Sequence, residues 1–245
     1  MSFSDEEVER YARQLVLREI GGPGQQRLKA ARVLIVGAGG LGAPAALYLA
    51  AAGVGELTIV DPDTVDRSNL QRQVLYETDD AGRLKVEAAG ERLVALNPNV
   101  EVVRIAEALT GANARALISG HELVLDGTDD FATRFAVNAA CVAEHVTLVS
   151  GAIGRWTGQV GVFAARPCYR CLVPDIPPDA ETCAAVGVVG ALAGVIGSMV
   201  ALEAVKVIAG AGEPLIGRLL IYDALAAETR TVRVGADPAC PDCGR

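Results

Sequence analysis

Val33-Leu34-Ile35-Val36-Gly37-Ala38-Gly39-Gly40-Leu41-Gly42 runs from four apolar residues straight into a glycine-rich turn. The apolar run reads as a buried strand. Gly37, Gly39 and Gly42 spell GxGxxG at the strand's end. The first glycine permits a tight turn, the second lets backbone approach a phosphate, and the third lets a helix pack on the strand. Ala43 to Ala52 is a strong helix former, with Pro44 in its first turn, where a missing N–H costs little. Such a helix aims free N–H groups and a positive dipole end at an anion. Leu57-Thr58-Ile59-Val60 is the next apolar run and ends in Asp61, a carboxylate suited to ribose hydroxyls. The unit is βαβ with parallel strands. These residues fit NAD and ATP equally. A tight turn with no ligand is the plain alternative.

The same alternation continues on both sides. Ser4-Asp5-Glu6-Glu7 is a capping box, followed by apolar residues at helical spacing: Val8, Tyr11, Ala12, Leu15 and Val16. Gly21-Gly22-Pro23-Gly24 is expected to end that segment, before a short helix around Gln25 to Ala30. Ala81 to Leu96 reads as a helix stopped by Asn97-Pro98, and Val100 to Ile105 as a strand. Leu123-Val124-Leu125 is a short strand ending in Asp126. Ala132 to Glu144 reads as a helix and Val146 to Ser150 as a strand. After Gly151 the pattern changes. Gln159 to Phe163, Leu219 to Tyr222 and Thr231 to Val234 look like strands. The last two leave no room for a crossover helix, so antiparallel pairing is expected. Arg166 to Ala180 is a loop by its prolines. The expected fold is α/β: a doubly wound, mostly parallel Rossmann-like sheet extended by antiparallel strands.

Composition narrows the function. The chain has 245 residues, 51% hydrophobic and only 21% charged, which excludes a disordered chain. A formal net charge of −8 argues against a nucleic-acid partner, because phosphate contacts need clustered Lys and Arg. The first ten residues lack the positive and apolar regions of a signal peptide, so a cytoplasmic location is expected. With only a short tail after Cys243, no appended domain is expected. Ala184 to Leu202 carries no charge, but Gly187, Gly190, Gly194 and Gly197 share one helical face. A smooth face suits close packing inside the protein, so a buried helix is expected rather than a membrane span.

Several residues carry chemistry. Asp66 to Gln73 reads DRSNLQRQ beyond the second strand, at the carboxyl edge where such sheets bind ligands. Arg72 suits a phosphate, and Asn69 and Gln71 can hydrogen-bond one; Arg67 reads as a surface charge. Lys85 lies near the start of the next helix. Arg13 sits off the apolar face of its helix, free to reach a ligand. Asp129, after the strand ending at Asp126, could hold Mg²⁺ against phosphates, while Asp126 and Thr128 could cap the following helix. Cys168, Cys171, Cys240 and Cys243 form two CxxC pairs. Without a secretion signal, four thiolates point to a closed, structural Zn²⁺ site. Cys183 stands apart, as either a reactive loop thiol or a small apolar filler. Cys141 reads as core, and His121 and His145 as structural.

GAGGLG, Asp61, SNLQRQ, Lys85, Asp126-Gly127-Thr128-Asp129 and the paired CxxC motifs together resemble the MoeB/ThiF/HesA group of adenylyltransferases. This is the bacterial form of the ubiquitin-activating superfamily, and the likeness spans nearly the whole chain. The resemblance implies a single adenylation domain over 1–245. Residues 1–30 would be N-terminal helices and 31–150 the nucleotide-binding part. Residues 151–245 would hold antiparallel strands, the zinc site and a crossover loop. It implies MgATP-dependent adenylation of the C-terminal Gly-Gly carboxylate of a small β-grasp sulfur carrier. Gly37, Gly39, Gly40, Gly42, Asp61, the segment Ser68-Asn69-Leu70-Gln71-Arg72, Lys85, Asp129 and Asp130 would form the nucleotide site. Arg13 would reach into a partner subunit's site, which implies a homodimer. Cys183 resembles a cysteine used for sulfur transfer in thiamine-pathway relatives. PCYRCL and GRWTGQV lean toward the molybdopterin type. Asp130 stands where the family usually carries Asn. An NAD-dependent oxidoreductase is the alternative from another class.

Overall fold

The computed structural model describes residues 3–176 and 187–244. Eight strands run through them: β1 (Arg32–Val36), β2 (Glu56–Val60), β3 (Glu101–Ile105), β4 (Leu123–Asp126), β5 (Thr147–Gly154), β6 (Thr157–Phe163), β7 (Arg218–Asp223) and β8 (Glu228–Arg233). They form one sheet in the order β3-β2-β1-β4-β5-β6-β7-β8. Pairing is parallel from β3 to β5 and antiparallel from β5 to β8. The apolar runs become central strands because both faces are covered: Val33, Leu34 and Ile35 have no exposed surface.

Among the described residues eight α-helices accompany the sheet: α1 (Asp5–Leu15), α2 (Gly21–Ala30), α3 (Gly42–Ala52), α4 (Lys85–Leu96), α5 (Ala114–Ile118), α6 (Phe131–Glu144), α7 (Tyr169–Leu172) and α8 (Gly190–Ala209). Helices α2, α3, α4 and α8 bury one apolar cluster against the sheet, and α5, α6 and α7 bury a second. The sheet is therefore doubly wound.

Register fixes where a ligand can sit. Val36 lies level with Val60 of β2 and with Asp126 of β4, and Asp126 lies level with Ser150 of β5. Gly37, Asp61, Gly127 and Gly151 thus share one edge, the carboxyl edge of the parallel strands. The order of strands reverses between β1 and β4, with β2 and β3 added on one side and β4 and β5 on the other, which opens a crevice at that edge.

Several expectations need correction. Gly21-Gly22-Pro23-Gly24 forms the first turn of α2 instead of ending a segment. Pro23 fits there because first-turn N–H groups have no intrahelical partner. Helix α4 starts at Lys85 rather than Ala81. The residues before it pair with the segment after β2, through Val65 N–H to Arg83 O at 2.8 Å and Gly82 N–H to Val65 O at 2.8 Å. Helix α1 buries Glu7 and Tyr11, while Val8 and Val16 are exposed. Glu7 is drawn in by its capping bond to Ser4 and its ion pair with Lys29 at 2.7 Å. The proline-rich stretch from Arg166 contains α7, and α5 is a second short helix that periodicity did not reveal. Residues 177–180 of that stretch lie outside the described residues.

The glycine-striped segment does form a helix, α8, but from Gly190 to Ala209; residues 184–186 lie outside the described residues. It is long and apolar enough to cross a membrane by length and composition, yet it packs on α3, β5 and β6. A Cβ on Gly190 would sit 2.0 Å from Gln71 O, and one on Gly197 2.4 Å from Pro44 Cγ. Gly194 faces open space and Gly187 precedes the helix, so the smooth face is narrower than the spacing suggested.

Candidate active site

The glycine turn builds the floor of the site. Gly37 has a φ of 87°, open to glycine and strained for other residues. Gly42 starts α3 so close to the turn that a Cβ would lie 1.8 Å from Gly37 O. The turn is held from outside as well. Asp61 Oδ2 accepts from Ala38 N–H at 2.8 Å, and the Tyr76 hydroxyl donates to Ala38 O at 2.7 Å. Burial pushes the Tyr76 phenol far above its usual range, so it stays a donor. Burial also lifts the Asp61 carboxyl above its ordinary value, with the Lys85 charge working against that rise.

A cleft of about 720 Å³ opens above this turn. Gly37, Gly39, Gly40, Asp61, Asn69, Arg72, Lys85, Asp129 and Asp130 line it. Lys85 is almost fully buried. Its Nζ donates to Asp63 Oδ2 at 2.8 Å and lies 3.8 Å from Asp61 Oδ1. Arg72 lies over Gly40 and donates from Nη1 to Ser68 O at 3.2 Å. On the opposite wall, Asp126 Oδ1 accepts from Thr128 N–H at 3.0 Å and Thr128 Oγ1 at 2.6 Å, which shapes the turn carrying Asp129. Asp130, not Asp126 or Thr128, caps α6: its Oδ1 accepts from Thr133 N–H at 2.8 Å. Asn accepts such a bond equally well, which accounts for Asp at this position.

Other expected residues fall elsewhere. Ser68, Leu70 and Gln71 do not line the cleft. Ser68 N–H donates to Asp66 at 2.7 Å, Leu70 packs into the core, and Gln71 backs onto Gly190. Gly42 shapes the turn from beneath. Arg13 is exposed in the last turn of α1 and is not part of the cleft wall of its own chain. The neighbouring Gln14 donates to Ala52 O at 3.0 Å, at the far end of α3 from the glycine turn. The 11 residues of α3 span about 16 Å. Cys183 lies outside the described residues. Cys141 is buried, His121 binds Thr58 Oγ1 at 2.9 Å, and His145 ends α6.

Reading the sequence missed Asp63, Gln73, Arg134 and Tyr169, all of which line the cleft. Gln73 closes the DRSNLQRQ stretch and is 4% exposed, and its Oε1 has no hydrogen-bond partner among the described residues. Arg134 carried a readable signal: Asp130, Arg134 and Asn138 recur every fourth residue, along one face of α6.

The four CxxC cysteines converge beside the cleft. Their sulfurs all lie within 4.8 Å of one another, with Cys168–Cys240 at 3.6 Å and Cys171–Cys243 at 3.4 Å. A tetrahedral zinc with bonds near 2.3 Å needs sulfurs about 3.8 Å apart, so the donor set fits that ion in kind and spacing.

The switch-point crevice, the glycine turn and the Asp61 carboxylate beside it define a Rossmann-like fold with a cleft at its carboxyl edge, here with a four-thiol cluster. A model of the ThiF family matches residues 11–242, and the chain belongs to that family. It is 48% identical to the sulfur carrier protein adenylyltransferase of Thermus thermophilus, covering 100% of this chain and 93% of that protein. It is 47% identical to the molybdopterin-synthase adenylyltransferase of Escherichia coli, covering 99% of each. The SAMP-activating enzyme E1 of Haloferax volcanii is 44% identical over 100% of this chain and 92% of that one. Among solved structures, Escherichia coli MccB in complex with MccA-N7isoASN superposes with a TM-score of 0.87 at 22% identity, over 100% of this chain and 76% of that one, a likeness of fold.

Proposed function

We infer that this chain is an adenylyltransferase: it transfers AMP from ATP to the C-terminal carboxylate of a small ubiquitin-like sulfur-carrier protein. The observation that carries this reading is the glycine-turn crevice with Asp61, Arg72 and Lys85, in a chain 47–48% identical along its length to two adenylyltransferases. A carrier carboxylate oxygen attacks the α-phosphorus, the bond to the bridging oxygen breaks, and pyrophosphate leaves with the electron pair. The nucleophile is already an anion, so no base is needed. Positioning and charge neutralisation carry the rate.

The assignments follow from placement. Asp61 takes the ribose hydroxyls and the turn at Gly37 to Gly40 takes the phosphate backbone. Asn69, Arg72 and Lys85 hold the phosphates, Lys85 turning from Asp63 toward phosphate oxygen. Carboxylates outnumber cations on this wall: Asp61, Asp63, Asp129 and Asp130 against Arg72, Lys85 and Arg134. A triphosphate therefore calls for further positive charge. Asp129 would hold Mg²⁺, which supplies part of it. Arg13 supplies the rest from a second copy of the chain, since α1 anchors it far from its own cleft. The exposed Val16 and Leu17 beside Arg13 suit burial in such a homodimer. The four cysteines would hold Zn²⁺, which would tie the segment carrying Cys240 and Cys243 to α7. The carrier would be of the molybdopterin-synthase small-subunit type, ending in Gly-Gly; a thiamine-pathway carrier with Cys183 in sulfur transfer is the other candidate. The location would be cytoplasmic.

The test is exchange of labelled pyrophosphate into ATP. We expect exchange only when a Gly-Gly-ending carrier is present. A battery of such carriers giving no exchange, with NAD binding in place of ATP, would overturn the reading in favour of hydride transfer.

A further inference from the structure

We propose that Arg134 and Tyr169 are positioning residues that couple the four-cysteine cluster to the nucleotide cleft. A metal held by the thiolates then tightens nucleotide binding, and bound nucleotide helps retain the metal. The proposal rests on the reading above, in which the cleft takes ATP and the cysteines take zinc.

Helix α6 carries the link. Asp130 caps it at the cleft, Arg134 follows one turn later, and Asn138 one turn after that, at the cysteines. Arg134 is 5% exposed. Its Nη2 donates to Thr128 O and, at 2.9 Å, to Gly151 O; its Nη1 donates to Ser150 Oγ at 3.3 Å and lies 3.7 Å from Asp126 Oδ2. One guanidinium thereby fastens the Asp129 turn to the middle of β5. No single-headed cation can make all of these contacts.

Tyr169 supports that guanidinium from the metal side. The Arg134 guanidinium carbon lies 6.0 Å from the centre of the Tyr169 ring, within cation–π range. Phe163 meets the same ring edge-on at 5.7 Å. Tyr169 sits between Cys168 and Cys171 in sequence, so its backbone moves with those ligands. Its N–H donates to Asn138 Oδ1 at 2.8 Å. Asn138 Nδ2 donates to Asp242 Oδ2 at 2.6 Å and lies 3.5 Å from Cys168 Sγ. Asp242 lies between Cys240 and Cys243. Asn138, 1% exposed, thus grips both CxxC turns at once. Close-packed groups of this kind pass small displacements onward instead of absorbing them.

The experiment compares zinc affinity, by equilibrium competition with a chromogenic chelator, with and without a saturating non-hydrolysable ATP analogue and Mg²⁺. In the wild type we expect the analogue to tighten zinc about tenfold, within the usual range of site-to-site coupling. Removing zinc should weaken the analogue by the same factor, read by calorimetry. In Tyr169→Leu the coupling should fall to about onefold with one zinc per chain retained, and Tyr169→Phe, which keeps the ring face and gives up only the hydroxyl's hydrogen bond to Arg134, should restore part of it. Should Tyr169→Leu fail to fold, Arg134→Lys and the wild-type comparison decide the matter. Wild-type protein that binds the analogue with unchanged zinc affinity overturns this inference alone. Protein that binds no analogue at all overturns the nucleotide reading and this inference together.

Discussion

At the residue scale, single side chains do two jobs in this site. Asp61 faces the ligand side of the cleft and also pins Ala38 N–H, so the glycine turn keeps its shape before any ligand arrives. Asp130 lines the cleft and caps α6. Its capping role yields a paired prediction. Asp130→Asn keeps the acceptor and should leave the denaturation midpoint unchanged. Asp130→Ala loses it and should cost about 1 kcal/mol in chemical denaturation. Equal losses in both variants would mean that the charge, not the cap, matters. Residues of this kind divide by how local their cause is. Gly37 and Gly42 were legible because a tight turn between strand and helix dictates them from neighbouring residues alone. Gln73 and Tyr169 were not, because their placement depends on segments far away in sequence. Ser68, Leu70 and Gln71 matched a motif, yet their neighbours Asn69 and Arg72 are the ones that face the cleft.

At the element scale, α8 explains why so many small residues are needed. It closes on α3 and on the sheet, where Gly151 and Gly158 remove the side chains that would hold it off: a Cβ on Gly158 would lie 2.3 Å from Ile196 Cγ1. Gly197→Ala should therefore destabilise by about 1–3 kcal/mol, since its methyl would meet Pro44 and Leu41 O. Gly194→Ala meets nothing within 4 Å and should stabilise by about 0.5–1 kcal/mol through helix propensity alone. Urea titration of both variants checks the contrast, and a shift of the same sign in both would refute it. The helix itself was visible in the glycine spacing, but its span was not, because Ala, Val and Gly continue without punctuation on either side. The exposed face of α1 was misjudged for a related reason. An ion pair between Glu7 and Lys29 of α2 turns the helix, and no period in a single segment records a partner helix.

At the scale of the whole molecule, the parallel half supplies the crevice and the antiparallel half brings α7 and the chain terminus back beside it. The parallel half and its antiparallel extension were legible from alternation and linker length. The convergence of the cysteines beside the cleft was not, since the paired sulfurs stand 72 positions apart along the chain. The proposed exchange of Arg13 between copies makes a prediction at this scale. Arg13→Ala and Arg72→Ala homodimers should each be inactive. Mixed and allowed to exchange subunits, they should recover about one quarter of wild-type activity, because each hybrid dimer holds one intact site. No recovery, with hybrids verified by native mass spectrometry, would place Arg13 outside the site. The central claim is that the carrier's carboxylate attacks the α-phosphorus of ATP. The most direct measurement labels that carboxylate with oxygen-18, supplies MgATP and a thiol acceptor, and analyses the nucleotide product. The account predicts AMP carrying one labelled oxygen. Unlabelled AMP, or ADP in its place, would contradict it.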